Sequence, residues 1–258
     1  MPRRPTNGYW GKKYTKMKAK ELYEVIRSYC RANADEAIVK KYSRYFKEGY
    51  DAYGLSREQL GDKVDSILND KSVNMKLVLS TSRHLVKSGK YEETSFAILL
   101  FKGFSEQFTA ATFKEIGRWF ETGITNWAHT DVICGLLISQ LFERNIISME
   151  ALSDWRTATN KFQRRAVPVS MIILLKSTSD YTPLFAFIEP LMLDTQRVVH
   201  QGLGWFLREA WKLKRTETEA FLLKWKNEAA RLIFQYATEK MTAEQKKCFK
   251  KDKKQEIP

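Results

Sequence analysis

Apolar residues recur every three or four positions along almost the whole chain, and runs that alternate with period two are nearly absent. This pattern dictates helices joined by short connectors. Residues 17–33 place Leu22, Val25, Ile26 and Tyr29 on one face, and residues 36–49 do the same with Ile38, Val39, Tyr42, Tyr45 and Phe46. Tyr53-Gly54-Leu55-Ser56 breaks the pattern, and Ser56 with Gln59 three positions on reads as an N-cap with its capping-box partner. Further helices are expected over 57–68, 74–88, 92–107, 109–122, 127–144, 148–158, 161–177, 182–192, 194–212 and 216–237. Helices of this length with short links suit antiparallel pairs stacked into a superhelix, with a period near the roughly 40 residues of HEAT or armadillo units. The expected class is an all-α, HEAT-like (armadillo-type) helical-repeat solenoid. A single all-α domain without repeats is the simpler alternative, since no consensus repeat is visible.

Charge narrows the function. Lys and Arg number 44 against 30 Asp and Glu, a formal net charge of +14. A chain this basic suits a polyanionic partner, and a concave basic face that holds DNA is the form expected here. Excess lysines kept only for solubility are the plain alternative. The basic residues crowd at both ends: Arg3, Arg4, Lys12, Lys13, Lys16, Lys18 and Lys20 with no acid among them, then Lys246, Lys247, Lys250, Lys251, Lys253 and Lys254. The expected division is a flexible basic arm over 1–20, one repeat domain over 21–238 and a flexible basic tail over 239–258, the ends adding nonspecific phosphate attraction.

Other classes lose ground. The longest apolar run, Val167 to Leu175, is interrupted by Ser170 and is too short to span a bilayer. The N-terminal residues lack the apolar centre of a secretory signal. Cys30, Cys134 and Cys248 are far apart and odd in number, which argues against a disulfide framework and for a reducing, intracellular (cytoplasmic or nucleoid-associated) setting. His84, His129 and His200 have no carboxylate or cysteine at ligand spacing, so neither a metal nor another cofactor is expected. No phosphate-cradling glycine loop and no nucleophile elbow occur. The tyrosine-rich stretch 42–53 suits either stacking on single strands or burial between helices.

Three segments carry candidate chemistry. In the first, Trp127 and Asp131 are four apart, one turn from each other on one helical face. An aspartate favouring the helix N-terminus beside a packed indole explains the pair without function. In the second, Arg164 and Arg165 are adjacent, so they point about 100° apart, and a guanidinium fork suits phosphate. A solvated helix start explains them equally. In the third, Gly202 and Gly204 interrupt a helix that also carries Trp205 and Arg208. Glycine inside a helix costs about 1 kcal/mol relative to alanine. Its presence twice points to close helix packing or to room for a ligand.

Taken in order, Ser43-Arg44-Tyr45-Phe46-Lys47, Trp127 with Asp131, Gln163-Arg164-Arg165-Ala166 and Gly204-Trp205-Phe206-Leu207-Arg208-Glu209 resemble the AlkD-type DNA glycosylase family of HEAT-like repeat proteins. The similarity runs from about residue 36 to residue 225. It implies that Asp131 is the catalytic aspartate, that Trp127 and Trp205 flank the lesion nucleotide, and that Arg165 holds DNA backbone nearby. Tyr45 matches a tyrosine of the same cleft, and Arg164 and Arg208 fall within the DNA-facing motifs. Asn126 stands where the family often has a second tryptophan, and Ala128 where an acidic residue is common. The implied activity is removal of cationic alkylated purines, of the 3-methyladenine or 7-methylguanine type, from double-stranded DNA by a monomeric protein. No Schiff-base lysine is placed by a motif, so no strand cleavage is expected. A HEAT-like module that binds damaged or branched DNA without excision is the alternative, and a protein scaffold with no nucleic-acid partner is a third reading.

Overall fold

The computed structural model describes residues 17–252, and every regular element in it is helical. The helices are α1 (Ala19–Ala32), α2 (Glu36–Ser43), α3 (Arg57–Leu68), α4 (Met75–Lys87), α5 (Tyr91–Lys102), α6 (Ala110–Thr122), α7 (Trp127–Ile133), α8 (Ser139–Glu143), α9 (Lys161–Met171), α10 (Thr182–Ile188), α11 (Arg197–Leu213), α12 (Arg215–Trp225), α13 (Arg231–Ala237) and α14 (Ala243–Lys247). A wide π turn, Cys134–Ile138, joins α7 to α8 into one continuous rod.

These helices build a helical-repeat solenoid. α5, α7, α9, α11 and α13 form a continuous row in which each packs on the next. α4, α6, the tight turns Met149–Thr157, α10 and α12 back that row. The seam between rows is apolar: Phe96, Ile133, Leu137, Ala166, Val199, Leu203, Phe206 and Ile233 are all fully buried. Glycines set how closely the row packs. A Cβ on Gly204 would lie 2.4 Å from Tyr236 Cβ and 2.7 Å from Ile233 O, so only a bare backbone lets α11 approach α13. Gly202 faces α9, where a Cβ would stand 3.1 Å from Cγ of Arg165. Close helix packing is therefore what the two glycines provide.

Helix starts follow their side chains. Ser56 Oγ accepts from Gln59 N at 3.1 Å while Gln59 Oε1 accepts from Ser56 N at 2.8 Å, the reciprocal cap that the spacing predicts. Asp35 caps α2 and Asn126 caps α7 with the side-chain oxygen alone, without the return bond.

Several boundaries differ from the sequence expectation. α2 stops at Ser43 rather than 49, where Trp127 takes the carbonyl of Tyr45 and Lys161 holds Glu48, and the turn that follows is pinned from α5. The carboxylate of Glu92, buried on α5, accepts from the backbone N–H groups of Tyr53 (2.8 Å), Gly54 (2.8 Å) and Leu55 (3.2 Å). Gly54 holds a φ of +88° there, and a Cβ would lie 2.1 Å from Asp35 O. Residues 149–157 wind as tight 3-10 turns with Trp155 set against Phe113 and Phe120. The helix expected over 161–177 narrows to 3-10 turns after Met171, three residues past Pro168, whose missing N–H removes a ladder bond. The helix expected over 216–237 is divided at 226–230, where Lys226 and Asn227 bond Asp252 and α13 folds back onto α11.

At the ends, Ala19 and Lys20 already belong to α1, and residues 1–16 of the expected basic arm lie outside the described residues. Part of the stretch read as a tail, 239–258, is packed: Met241 and Phe249 are buried and α14 lies between them. Residues 253–258 lie outside the described residues. No helix among the described residues is long and apolar enough to cross a membrane.

Candidate active site

The solenoid brings α7, α9 and α11 side by side, and with them two of the three segments singled out in the sequence meet directly. Asp131 sits one turn into α7, and Arg165 rises from α9 to meet it. Nε and Nη2 of Arg165 donate to Oδ1 and Oδ2 of Asp131, each at 2.9 Å. The third arm of the fork, Nη1, donates to the carbonyl of Val198 at the start of α11 at 2.7 Å. One guanidinium thus ties three successive helices of the row together.

The pair is asymmetric in exposure. The Arg165 side chain is 7% exposed and that of Asp131 is 18%. Asp131 keeps the larger exposed area, yet Arg165 lines the cavity described below and Asp131 is not among the described residues that do. Burial pushes the Asp131 carboxyl above its ordinary range, and the adjacent guanidinium pulls it back. A carboxylate offers about four lone-pair sites, so two bonds from Arg165 leave acceptor capacity for a substrate.

Trp127 opens α7. Its indole N–H donates to the carbonyl of Tyr45 at 3.2 Å, and Phe46 stacks on it with centroids 5.7 Å apart and planes 16° apart. Tyr45 is itself exposed, with its hydroxyl accepting from Arg44 Nη2 at 2.8 Å. The nonhelical segment after α2 is also fastened by Lys161 on α9 to Glu48, at 3.0 Å. Trp127, Tyr45, Arg165, Lys161, Arg197 and Tyr236 line a cavity of about 420 Å³. Lys47 and Arg44 add further cations to its wall, which suits a phosphate-bearing ligand.

The remaining sequence candidates stand at different distances from this cleft. Trp205 lies one turn beyond Gln201 on α11 and packs half-buried against the core; Gln201 lines the cavity, whereas Trp205 is not among the described residues that do. Arg164 is engaged with Asp194 at 2.6 Å and with the carbonyls of Ala158 and Thr159. Arg208 pairs with Glu209 and Glu239. In this structure both arginines tie elements together.

Asn126 and His129 acquire a joint role. Asn126 Oδ1 accepts from His129 N at 2.8 Å, and its amide donates to His129 Nδ1 at 2.8 Å. Nε2 of His129 then carries the proton and meets Ser95 Oγ at 3.1 Å. Burial drives this imidazole down to about 3, so it stays neutral, stacked 4.4 Å from Tyr91. It packs between α5 and α7. His200 is likewise buried and bonds the Asp194 carbonyl. Among the described residues no cluster could hold a metal ion, and all three cysteines are free.

Sequence reasoning missed Phe46, Gln201 and Tyr236 as site neighbours. Phe46 lies inside a quoted motif, and its value was visible only once it met Trp127. The bond from Gln201 to Tyr236 Oη, at 2.7 Å, joins residues 35 apart and has no local signature.

The class that fold and site define is a helical-repeat protein in which one row of helices carries an ion-paired aspartate beside an indole and several cations. A family model for the DNA alkylation repair enzyme matches residues 26–241, and the chain belongs to that family. A solved structure of a predicted DNA alkylation repair enzyme from Enterococcus faecalis superposes with a TM-score of 0.69 at 14% identity, covering 82% of this chain and 98% of that one. At that identity the likeness is one of fold. No curated protein matches the chain. Family membership gives the chain a role in DNA repair, with DNA as its substrate.

Proposed function

We propose that this chain is a monofunctional DNA glycosylase that hydrolyses the N-glycosidic bond of cationic alkylated purines in duplex DNA and leaves the strand intact. The observation that carries the reading is the half-buried Asp131 carboxylate, held by Arg165 one helical turn from Trp127. A purine that already bears positive charge leaves readily, so the barrier lies in the sugar, which becomes oxocarbenium-like. A carboxylate of fixed orientation beside that sugar stabilises the charge and orients the attacking water. The π face of Trp127 adds about 0.5–2 kcal/mol against a cation.

The cations around the cleft hold phosphates and set the register of the duplex along that row of helices. Arg165 then acts first as the residue that orients Asp131, and any contact it makes with DNA backbone is secondary. Trp205 serves the lesion only if the bound duplex reaches one turn past Gln201. The protein works as a monomer with no cofactor.

One observation favours a second reading. Arg165 offsets the charge of Asp131, and Phe46 covers a face of Trp127. Such a site also suits a module that binds damaged or branched DNA without excision. Incubation with methylated duplex DNA separates the two: released 7-methylguanine or 3-methyladenine with abasic sites and unbroken strands supports the glycosylase. Tight binding of junction or damaged DNA with no released base supports the module.

A further inference from the structure

Among the described residues that line the cavity of about 420 Å³ beside Trp127, five are cations and one is an acid: Arg44, Lys47, Lys161, Arg165 and Arg197 against Glu48. A carboxylate inside a cleft for phosphates repels the ligand that the cations attract. Glu48 nonetheless has a definite partner there, its Oε1 accepting from Nζ of Lys161 at 3.0 Å. Arg165 has its own counter-ion in Asp131. Glu48 therefore takes Lys161, and its carboxylate oxygen stands where a phosphate oxygen would accept from the same ammonium.

Glu48 belongs to the segment that closes over Trp127. Two residues before it, Phe46 stacks on the indole, and the Tyr45 carbonyl takes the indole N–H. Whatever moves Glu48 away from α9 therefore also moves the cover of Trp127. The hold is light: the side chains of Lys161 and Glu48 are 33% and 30% exposed, and an ion pair this open to water yields to a competing anion. Gly49 follows at once, with a φ of +101° and nothing within 4 Å of the place a Cβ would take. The backbone there turns left-handed in open space, so the segment can pivot with no packing to break. On its far side the chain is pinned, because Glu92 holds the N–H groups of residues 53–55.

We propose that Glu48 is an internal stand-in for a DNA phosphate. In the DNA-free protein it holds residues 44–48 against α9 through Lys161. An entering phosphate takes Lys161 in its place and releases the segment, which uncovers the face of Trp127 that Phe46 covers. The inference rests on the reading above that this cleft takes the duplex, and not on base excision.

The test measures the affinity of the full chain for an unmodified, fluorescein-labelled duplex at one fixed salt concentration. Four proteins are compared: the unsubstituted chain, Glu48→Gln, Lys161→Gln and the double variant. Glu48→Gln is expected to bind about three- to fivefold more tightly, and Lys161→Gln more weakly. In the Lys161→Gln background the gain from Glu48→Gln is expected to vanish, because no ammonium is left to release. An equal gain in both backgrounds shows that Glu48 acts by its charge alone and overturns the proposal. Lys161→Gln with the unsubstituted affinity overturns it together with the cleft reading.

Hydrogen exchange without DNA reads the segment itself. The amides of Tyr45, Phe46 and Gly49 bond carbonyls within the segment and at the end of α2, and so report its opening. Glu48→Gln is expected to raise their exchange and to leave that of α9 and α11 unchanged. Unaltered exchange at these amides overturns the proposal, since the segment would then hold its place without Glu48. None of these readings depends on base release: a chain that binds DNA and excises nothing refutes the glycosylase alone.

Discussion

Arg165 grips both carboxylate oxygens of Asp131, one nitrogen to each at 2.9 Å, and spends its remaining arm on the Val198 carbonyl. Both side chains are largely buried, so removing the cation leaves a carboxylate in low dielectric without its partner. Arg165→Ala is expected to cost about 3–5 kcal/mol. Arg165→Lys, which keeps charge but loses the fork, should recover part of that stability and little of the activity. Urea denaturation with single-turnover excision checks both.

The same pair sets a pH dependence. Burial is the larger influence on Asp131 and raises its proton affinity above that of an exposed aspartate. The active form is the carboxylate, so excision falls as pH falls, and does so at a higher pH than an unperturbed aspartate would give. The rate of the chemical step as a function of pH, measured on DNA bearing 7-methylguanine, is expected to show that acidic limb. A rate that stays flat down to the ordinary carboxylate range argues against Asp131 as the titrating group.

Glu92 holds the turn after α2 by three charge-assisted bonds from backbone N–H groups, of a kind worth about 1.5–3 kcal/mol each. Glu92→Ala should destabilise the fold by about 3 kcal/mol or more, since three buried donors lose their acceptor. Hydrogen exchange is expected to rise first over residues 44–56, the segment that carries Tyr45 and Phe46 to Trp127. Uniform exchange across the chain would show that Glu92 does not pin this segment.

Helix spacing along the row predicts a graded response at three glycines. Gly204→Ala drives a methyl group into the backbone of α13 and should cost about 3 kcal/mol. Gly202→Ala meets the Arg165 stem at 3.1 Å, which its bonds to Asp131 and Val198 hold in place, and should cost about 1–2 kcal/mol. Gly135→Ala meets nothing within 4 Å and should be neutral or stabilising by up to about 1 kcal/mol through helix propensity. Thermal melts of the three variants give the order.

What the sequence revealed, and what it hid, follows from the range of the interactions. Local patterns were legible: the helix over residues 57–68 and its Ser56–Gln59 cap appear as expected. The rod over 127–143 also appears, with a π turn that periodicity does not announce. Elements ended early where distant residues captured the backbone, as Trp127 does at the Tyr45 carbonyl 82 residues away. At the site, the Trp127–Asp131 spacing was visible. The pairing of Asp131 with Arg165 spans 34 residues, and nothing in either local motif shows that one arginine of the adjacent pair meets a carboxylate while the other meets Asp194. Charge counting likewise overstated the free cations, because Arg164 and Arg208 are already paired.

The central claim is that the carboxylate of Asp131 drives base loss. Single-turnover release of 7-methylguanine from duplex DNA by the Asp131→Asn protein, with its DNA affinity measured alongside, tests this most directly. The expected result is a sharp fall in the excision rate with binding nearly unchanged, because the amide keeps the shape and loses the charge. Excision at the rate of the unsubstituted protein would contradict the account.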